Sequence, residues 1–301
     1  MITFERPVSL AALWARRLSR LAFGIFVLSL AAHRFGPVDT SSFVALVLLS
    51  AGLALAGVLL AIVGLVRLWQ VAAVGGIASV AAILYALLPL GVAGYGLEAF
   101  ATKPALSDVT TDLANPPPFI RPPVGEVGWL KPRPPTPADR AAQAEAYPAL
   151  TGRRYDGALD RVLAGVRTVS ESMGIALTAD QGLENAEPDI EDLGQPGKLP
   201  EGPPSDDGPV PIPMARPETS QPQDLPPGLR ATDILLQGEW RSFVVGTRYD
   251  LVIRLREEAE TTFVDIRTAA RFGPHDLGTS AALSERFLHA LDAELLGIAG
   301  D

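Results

Sequence analysis

The 301-residue sequence predicts a membrane region of three helices followed by an α+β domain, in which an antiparallel sheet of four to five strands carries two helices on one face. Three observations point there. Apolar runs in the first hundred residues are long enough to cross a bilayer. Two stretches near the C-terminus alternate apolar and polar residues with period two, and two further segments repeat apolar residues every three to four positions.

Charge divides the chain at the same place. Residues 1–97 hold six basic residues (Arg6, Arg16, Arg17, Arg20, Arg34, Arg67) against Glu5 and Asp39, a net +4, which leaves 19 basic against 32 acidic residues, a net −13, for the remainder. An acidic soluble part excludes the non-specific nucleic-acid binding that depends on Lys and Arg meeting phosphates. There is no cysteine, hence neither a disulfide framework nor a thiolate nucleophile, and the redox compartment is left open.

The first apolar segment, Leu18–Phe35 around LAFGIFVLSLAA, is just long enough for a hydrocarbon core of about 30 Å. Its charged start and Ser29-Leu30-Ala31 also suit a cleaved signal peptide, although the region before it is long for one; length favours a spanning helix. Phe43–Val66 and Val71–Leu97 contain no charged residue, and at 1.5 Å per residue both reach across a bilayer. Gly52 with Ala56, and Gly57 with Ala61, place small residues four apart, which admits a neighbouring helix closely. Pro89 should kink the third span. None of the spans carries Asp, Glu or Lys, the usual mark of an ion or proton path. Four arginines precede the first span and Arg67 separates the other two, against Arg34 and Lys103 at the opposite ends. The positive-inside rule therefore expects a cytoplasmic N-terminus and, after three spans, an extracytoplasmic C-terminal domain on a bacterial cytoplasmic membrane. A cleaved signal with two further spans leads to the same side.

Between Pro104 and Pro148 lie eleven prolines, the composition of a semi-rigid, extended tether over residues 98–148. Within it stands SDVTTDLANPPPF (Ser107–Phe119), followed by QAEAYPAL (Gln143–Leu150), then DLVIRL (Asp250–Leu255) and VDIRTAARFGPHDLGTSAALSERFLHAL (Val264–Leu291). In that order these resemble the bacterial and chloroplast family known as domain of unknown function 1499. Arg267, Arg271, Gly273, Asp276 and Gly278 fall on the family's pattern; Thr268 and Ala270 stand where small hydroxyl residues are more usual, and Thr279-Ser280 replaces a small residue plus Asn. The resemblance spans most of Ser107–Leu291 except one gap, and it implies no activity.

In the domain, residues 149–301, Leu159, Val162, Leu163, Val166, Val169 and Met173 make an amphipathic helix that Gly174 stops, and Ile175–Thr178 reads as a short strand. The gap, residues 181–228, has twelve prolines and ten acidic residues against Lys198 and Arg216, too little apolar surface to offset the entropy of ordering, and is expected to be a disordered acidic insert. Pro209-x-Pro211-x-Pro213 offers a second reading as a partner-binding proline segment. Arg230–Val245 then carries a strand that Gly238 bulges or divides; pairing Val245 with Arg248 across a Gly246-Thr247 turn sets Trp240 opposite Ile253. In the hairpin after it, Tyr249, Leu251, Ile253 and Leu255 answer Val264, Ile266, Thr268 and Ala270, and placing Arg256 opposite Thr261 brings Ile253 to Val264 and Asp250 to Arg267. Leu283, Phe287, Leu288, Leu291 and Leu295 line one side of a closing helix with Ser280 as its cap.

No metal spacing, GxSxG or phosphate-cradling loop occurs, so neither a cofactor nor a metal is expected, and Ser280, His275 and Asp276 are too close in sequence to converge as a triad. The hairpin's polar face, with Asp250, Arg254, Asp265, Arg267 and Arg271, reads as a ladder of ion pairs in which Asp250 and Arg267 are a structural pair. Its functional reading is a ligand site built on Arg267, Arg271 and Asp276 for a lipid headgroup or carboxylate. The expectation is a binding or scaffolding domain facing membrane lipid and other envelope proteins, with an envelope enzyme near Arg271–Asp276 as the alternative.

Overall fold

The computed structural model describes residues 8–71, 73–126, 128–186, 229–258 and 261–297. Three helices, α1 (Leu10–Phe35), α2 (Thr40–Val71) and α3 (Gly76–Thr102), are each long and apolar enough to cross a membrane; α1 starts earlier than its apolar run, α2 is longer at both ends, and α3 starts at Gly76 rather than Val71 and runs on past Leu97. They pack on one another through small residues, with Ala15, Ala22, Ala54, Ala61, Ala82 and Ala86 fully buried between them. A Cβ on Gly57 would collide with Ser19 Oγ, so this glycine sets how closely α2 approaches α1. Gly52, expected to do the same, faces open space. Pro89 lies inside α3, which continues through it, and the Ser9 amide donates to the Val74 carbonyl to tie the start of α1 to the α2–α3 connection.

The C-terminal part follows as β1 (Asp108–Thr110), α4 (Pro137–Ala146), β2 (Arg153–Asp156), α5 (Leu159–Ser172), β3 (Ala176–Gln181), a 3-10 turn (Leu183–Ala186), β4 (Ile234–Arg241), β5 (Arg248–Glu258), β6 (Thr261–Ala270) and α6 (Thr279–Leu296). The sheet is antiparallel in the order β1-β6-β5-β4-β3. β2 shares the outer edge of β6 with β1: β2 meets Thr261–Val264 and β1 meets Arg267–Ala269. The expected four to five strands are thus six, because a three-residue and a four-residue strand too short to show a period divide one edge.

Helices α5 and α6 bury their apolar faces on one side of the sheet. Val162, Val166 and Val169 of α5 and Leu283, Phe287 and Leu291 of α6 pack with Tyr249, Leu251, Ile253, Leu255, Val264 and Ile266 in one core. Burying a side chain of this size contributes about 1.5–3 kcal/mol, so the period-two and period-3.6 patterns coincide where most of the stability lies. Helix α4 begins with a capping box between Thr136 and Asp139, whose carboxyl the Arg133 guanidinium holds well below the usual carboxylate range. From α4, Gln143 closes the free edge of β1 as another strand would: its Oε1 accepts from the Thr110 amide at 3.2 Å and its Nε2 donates to the Thr110 carbonyl at 2.6 Å.

Both hairpin registers differ from expectation. In β5–β6, Glu258 faces Thr261, so only residues 259 and 260 connect the strands. Ile253 therefore meets Ile266, Arg254 meets Asp265 and Asp250 meets Ala269. The expected Asp250–Arg267 pair is not formed. The polar tetrapeptide Glu257-Glu258-Ala259-Glu260 suggests a four-residue loop, but a shift by two keeps every side chain on its face, so the apolar pattern cannot distinguish the registers. In β4–β5, Trp240 meets Tyr249 and not Ile253, because residues 242–247 form a longer loop closed by Ser242–Thr247 and Gly246–Ser242 backbone bonds. The bulge lies in β3, between Leu177 and Ala179, across from an unbroken β4. There a Cβ on Gly238 would press on Ile175 at 2.9 Å and the Ala176 carbonyl at 3.1 Å. Of the expected acidic insert, Gln181 ends β3 and residues 183–186 form the turn; residues 187–228, with the Pro209–Pro213 segment, lie outside the described residues.

The segment expected as a tether lies across the polar face of the sheet. The Arg121 backbone exchanges two hydrogen bonds with the Gln237 side chain of β4, Arg267 donates to the Pro117 carbonyl at 3.0 Å, Arg254 donates to the Asn115 carbonyl at 3.1 Å, and the Glu126 amide donates to the Arg271 carbonyl. Extended, proline-rich backbone suits this position because its carbonyls are not used internally and remain free to accept from arginines. The domain is also seated on one end of the helical bundle. Glu126 accepts from the Thr40 amide, Trp129 Nε1 donates to the Ser41 carbonyl, His33 bonds the Val245 carbonyl, and His275 stacks on Phe100.

Candidate functional site

The polar sheet face collects the charges that the family resemblance singled out. Arg271, on the strand end beyond β6, donates Nε and Nη2 to the two oxygens of Asp250 at 2.8 and 2.6 Å and also meets Glu239 at 2.5 Å. The Asp250 carboxylate, and then Glu239, hold its pKa above the ordinary arginine value. Arg267 is bidentate on Asp108 of β1, donates to the Pro117 carbonyl and sits 4.8 Å over the Phe119 ring. Arg254 is fully buried between Asp265 at 2.5 Å and Asp112 at 2.9 Å. Arg140 of α4 completes the set with Asp108 at 2.8 Å. Each guanidinium thus bridges the sheet to the proline-rich strap or to a neighbouring strand, and each named carboxylate faces at least one of them. A ligand of Arg267 or Arg271 would have to compete with these partners.

Asp276 stands apart from the arginines. One oxygen accepts from the Gly278 amide at 2.9 Å and the other from the Ser280 amide at 2.6 Å, so Asp276, not Ser280, satisfies the start of α6. Ser280 was expected to cap because it stands one turn before the apolar stripe, but the helix begins at Thr279 and leaves the Ser280 hydroxyl inside it. Burial pushes the Asp276 pKa up, and the two amides oppose that shift. The turn that aims it is strained: Leu277 has φ 59°, a left-handed value rare for a branched residue, followed by Gly278 at φ 79°. Tyr147 and Tyr249 lie close enough that burial first, and the Asp276 charge second, raise their pKa values. His275 turns to Phe100 and Leu277 rather than to Ser280, so the three residues do not form a triad. Among the described residues no three His, Cys, Asp or Glu side chains gather as a metal site.

A groove of about 580 Å³ opens where β1 and β2 leave the edge of β6 between them. Leu113, Ala144, Tyr147, Pro148, Leu150 and Phe263 form its apolar walls, and Thr111, Asp112 and Asp265 its polar floor. Thr111 donates to Asp265 at 2.9 Å, and the carboxylates on the floor are those that hold Arg254. The sequence showed Asp112, Asp265 and Gln143, but nothing in a linear pattern reveals that residues 110, 143, 152 and 265 meet. Asp108 and Asp112 in SDVTTD were the one available signal, two carboxylates in a segment otherwise poor in charge.

Residues 216–291 match the model of a family described as "Protein of unknown function (DUF1499)". No curated protein and no solved structure matches the chain. The matched stretch contains β4, β5, β6 and most of α6, hence Arg254, Asp265, Arg267, Arg271 and Asp276, whereas the strap and the groove's other wall lie before it. The chain is thus three membrane-capable helices followed by an α+β domain whose second half, residues 216–291, matches the model of the DUF1499 family.

Proposed function

We propose that this integral membrane protein presents its α+β domain outside the cytoplasm as a binding or scaffolding module, with the groove beside the split sheet edge as its recognition surface. The observation that carries the reading is the docking. The end of α1, the start of α2 and the end of α3 all meet the domain, through His33, Thr40, Ser41 and Phe100, so the module is held at a set height and angle rather than swinging on a tether. Orientation follows from charge: Arg16, Arg17, Arg20 and Arg67 lie toward the far end of the bundle, the side the positive-inside rule assigns to the cytoplasm. The groove has the usual character of a binding cleft, apolar walls with a few fixed polar groups.

The chain has no cysteine, so a single substitution tests the reading directly. Ala144→Cys, exposed at the groove, should react with a membrane-impermeant maleimide in intact cells. Labelling only after the membrane is opened would overturn the orientation. A second reading, an envelope enzyme near Arg271–Asp276, draws on the strained Asp276–Gly278 turn and the raised pKa of Asp276. Asp276→Asn keeps an acceptor for the helix start, so it should leave the cellular role intact if the domain only binds and abolish it if Asp276 moves a proton.

A further inference from the structure

The arginines of the polar face are neutralised, but three others are not. Arg241 and Arg248 stand directly opposite each other at the loop end of the β4–β5 ladder, a like-charge pair of the kind that destabilises a sheet. Arg34, from the last turn of α1, packs against the loop between them, with its Nε donating to the Phe243 carbonyl at 3.0 Å. Among the described residues Arg241 donates only to backbone carbonyls, those of Gly246 and His33, each at 3.0 Å. Among the described residues, none of the three has a carboxylate within ion-pairing distance. Burial, then the charges of Arg248 and Arg34, lower the Arg241 pKa; the opposing carboxylate is Glu126, whose Oε2 already accepts from the Thr40 amide.

The position of this cluster is as informative as its charge. It lies where a membrane-capable helix ends, and the side chains beside it are apolar and unburied: Phe35 is 84% exposed, Phe243 85% and Val244 65%. In water such a loop would be unfavourable, whereas at the level of lipid headgroups aromatic and aliphatic tips sit under a row of cations. We infer that Arg34, Arg241 and Arg248 form a binding site for the phosphate of an anionic phospholipid in the leaflet on the domain side, with Phe243 and Val244 of the β4–β5 loop immersed beside it. A headgroup phosphate supplies the negative charge that the cross-strand pair lacks, and its acyl chains lie along α1. The inference rests on the helices spanning a bilayer but not on which side the domain faces.

The test uses the full chain in nanodiscs, where orientation plays no part, and reads retained lipid by native mass spectrometry. Nanodiscs of phosphatidylcholine containing a minority of phosphatidylglycerol should leave phosphatidylglycerol on the protein in excess of its share. A basic residue near an anionic surface contributes about 1 kcal/mol, so Arg248→Gln should lower that preference about fivefold and Arg34→Gln with Arg248→Gln about 25-fold. Arg248→Gln is the primary variant because Arg248 is exposed, and Arg248→Lys should restore binding. Arg167→Gln, exposed on α5, should change nothing. Equal retention by wild type and Arg248→Gln would overturn the site, and so would full displacement of the lipid by millimolar inorganic phosphate, which would make it a site for free anions.

Discussion

Removing the Arg271 side chain should cost far more than removing an exposed arginine, and the loss should depend on Asp250. Asp250 is 3% exposed and Arg271 9%, with two hydrogen bonds of 2.8 and 2.6 Å between them. Arg271→Ala leaves that carboxylate buried without its cation, which for such pairs costs about 3–5 kcal/mol. The contact to Glu239 adds little, because that side chain is 46% exposed and water replaces the guanidinium, about 0–1 kcal/mol. Asp250→Ala strands the opposite charge and should cost a similar amount. The double variant removes both groups, so the single costs should fail to add by about 2 kcal/mol, within the usual range for residues in contact. Asp250 and Arg267 are diagonal across the ladder and bind different partners, so their double variant should be additive to about 0.5 kcal/mol. Urea unfolding of the detergent-solubilised full-length chain, followed by tryptophan fluorescence, reads all of these. Since the Asp250–Arg271 pair is buried, its coupling should persist at 1 M salt, where the Debye length is about 3 Å. Coupling below about 0.5 kcal/mol for Asp250 with Arg271, or equal coupling for Asp250 with Arg267, would refute the register and the account of the polar face built on it.

Gln143→Ala should destabilise the domain by about 2 kcal/mol in the same assay, since the buried Thr110 amide and carbonyl lose their partners, and Gln143→Glu should destabilise it as well, because a buried carboxylate oxygen then faces the Thr110 carbonyl in place of the donor. Asp139 has a depressed folded pKa, so its contribution is present above about pH 4 and disappears as the pH falls below that. Asp139→Asn should therefore lower the melting temperature at pH 7, and the difference from wild type should narrow steadily as the pH falls below about 4 toward the folded pKa, with part of it remaining at about pH 3. In the bundle, Gly57→Leu should lower thermal stability by forcing α1 and α2 apart, while Gly52→Leu, which meets nothing within 4 Å, should not. Sequencing the N-terminus of protein purified from cells should begin at or near Met1; a start near Ala32 would show that the first segment is a cleaved signal.

The sequence by itself determined the division into membrane helices and an α+β domain, because hydrophobic periodicity is a local property set by whichever side of an element is buried. It determined which residues of β4, β5 and β6 face the helices, since a shift by two residues or four preserves the alternation. For the same reason it could not determine register: the shift that keeps Leu251 and Ile253 in the core moves Asp250 from Arg267 to Ala269 and gives it to Arg271. Strand β1 and strand β2 were illegible because three or four residues show no period, and their identity as strands comes from the edge of β6 that they complete. The proline-rich stretch is extended by its own composition, but that it lies on the sheet was decided by arginines more than a hundred positions away that donate to its carbonyls. Only the tertiary structure separates neutralised arginines from unbalanced ones. Arg267 and Arg271 look in sequence like the ligand site, yet carboxylates from β1, β4 and β5 reach them, whereas Arg34, Arg241 and Arg248 are brought together by the docking of a sheet end on a membrane helix, beyond the reach of those carboxylates.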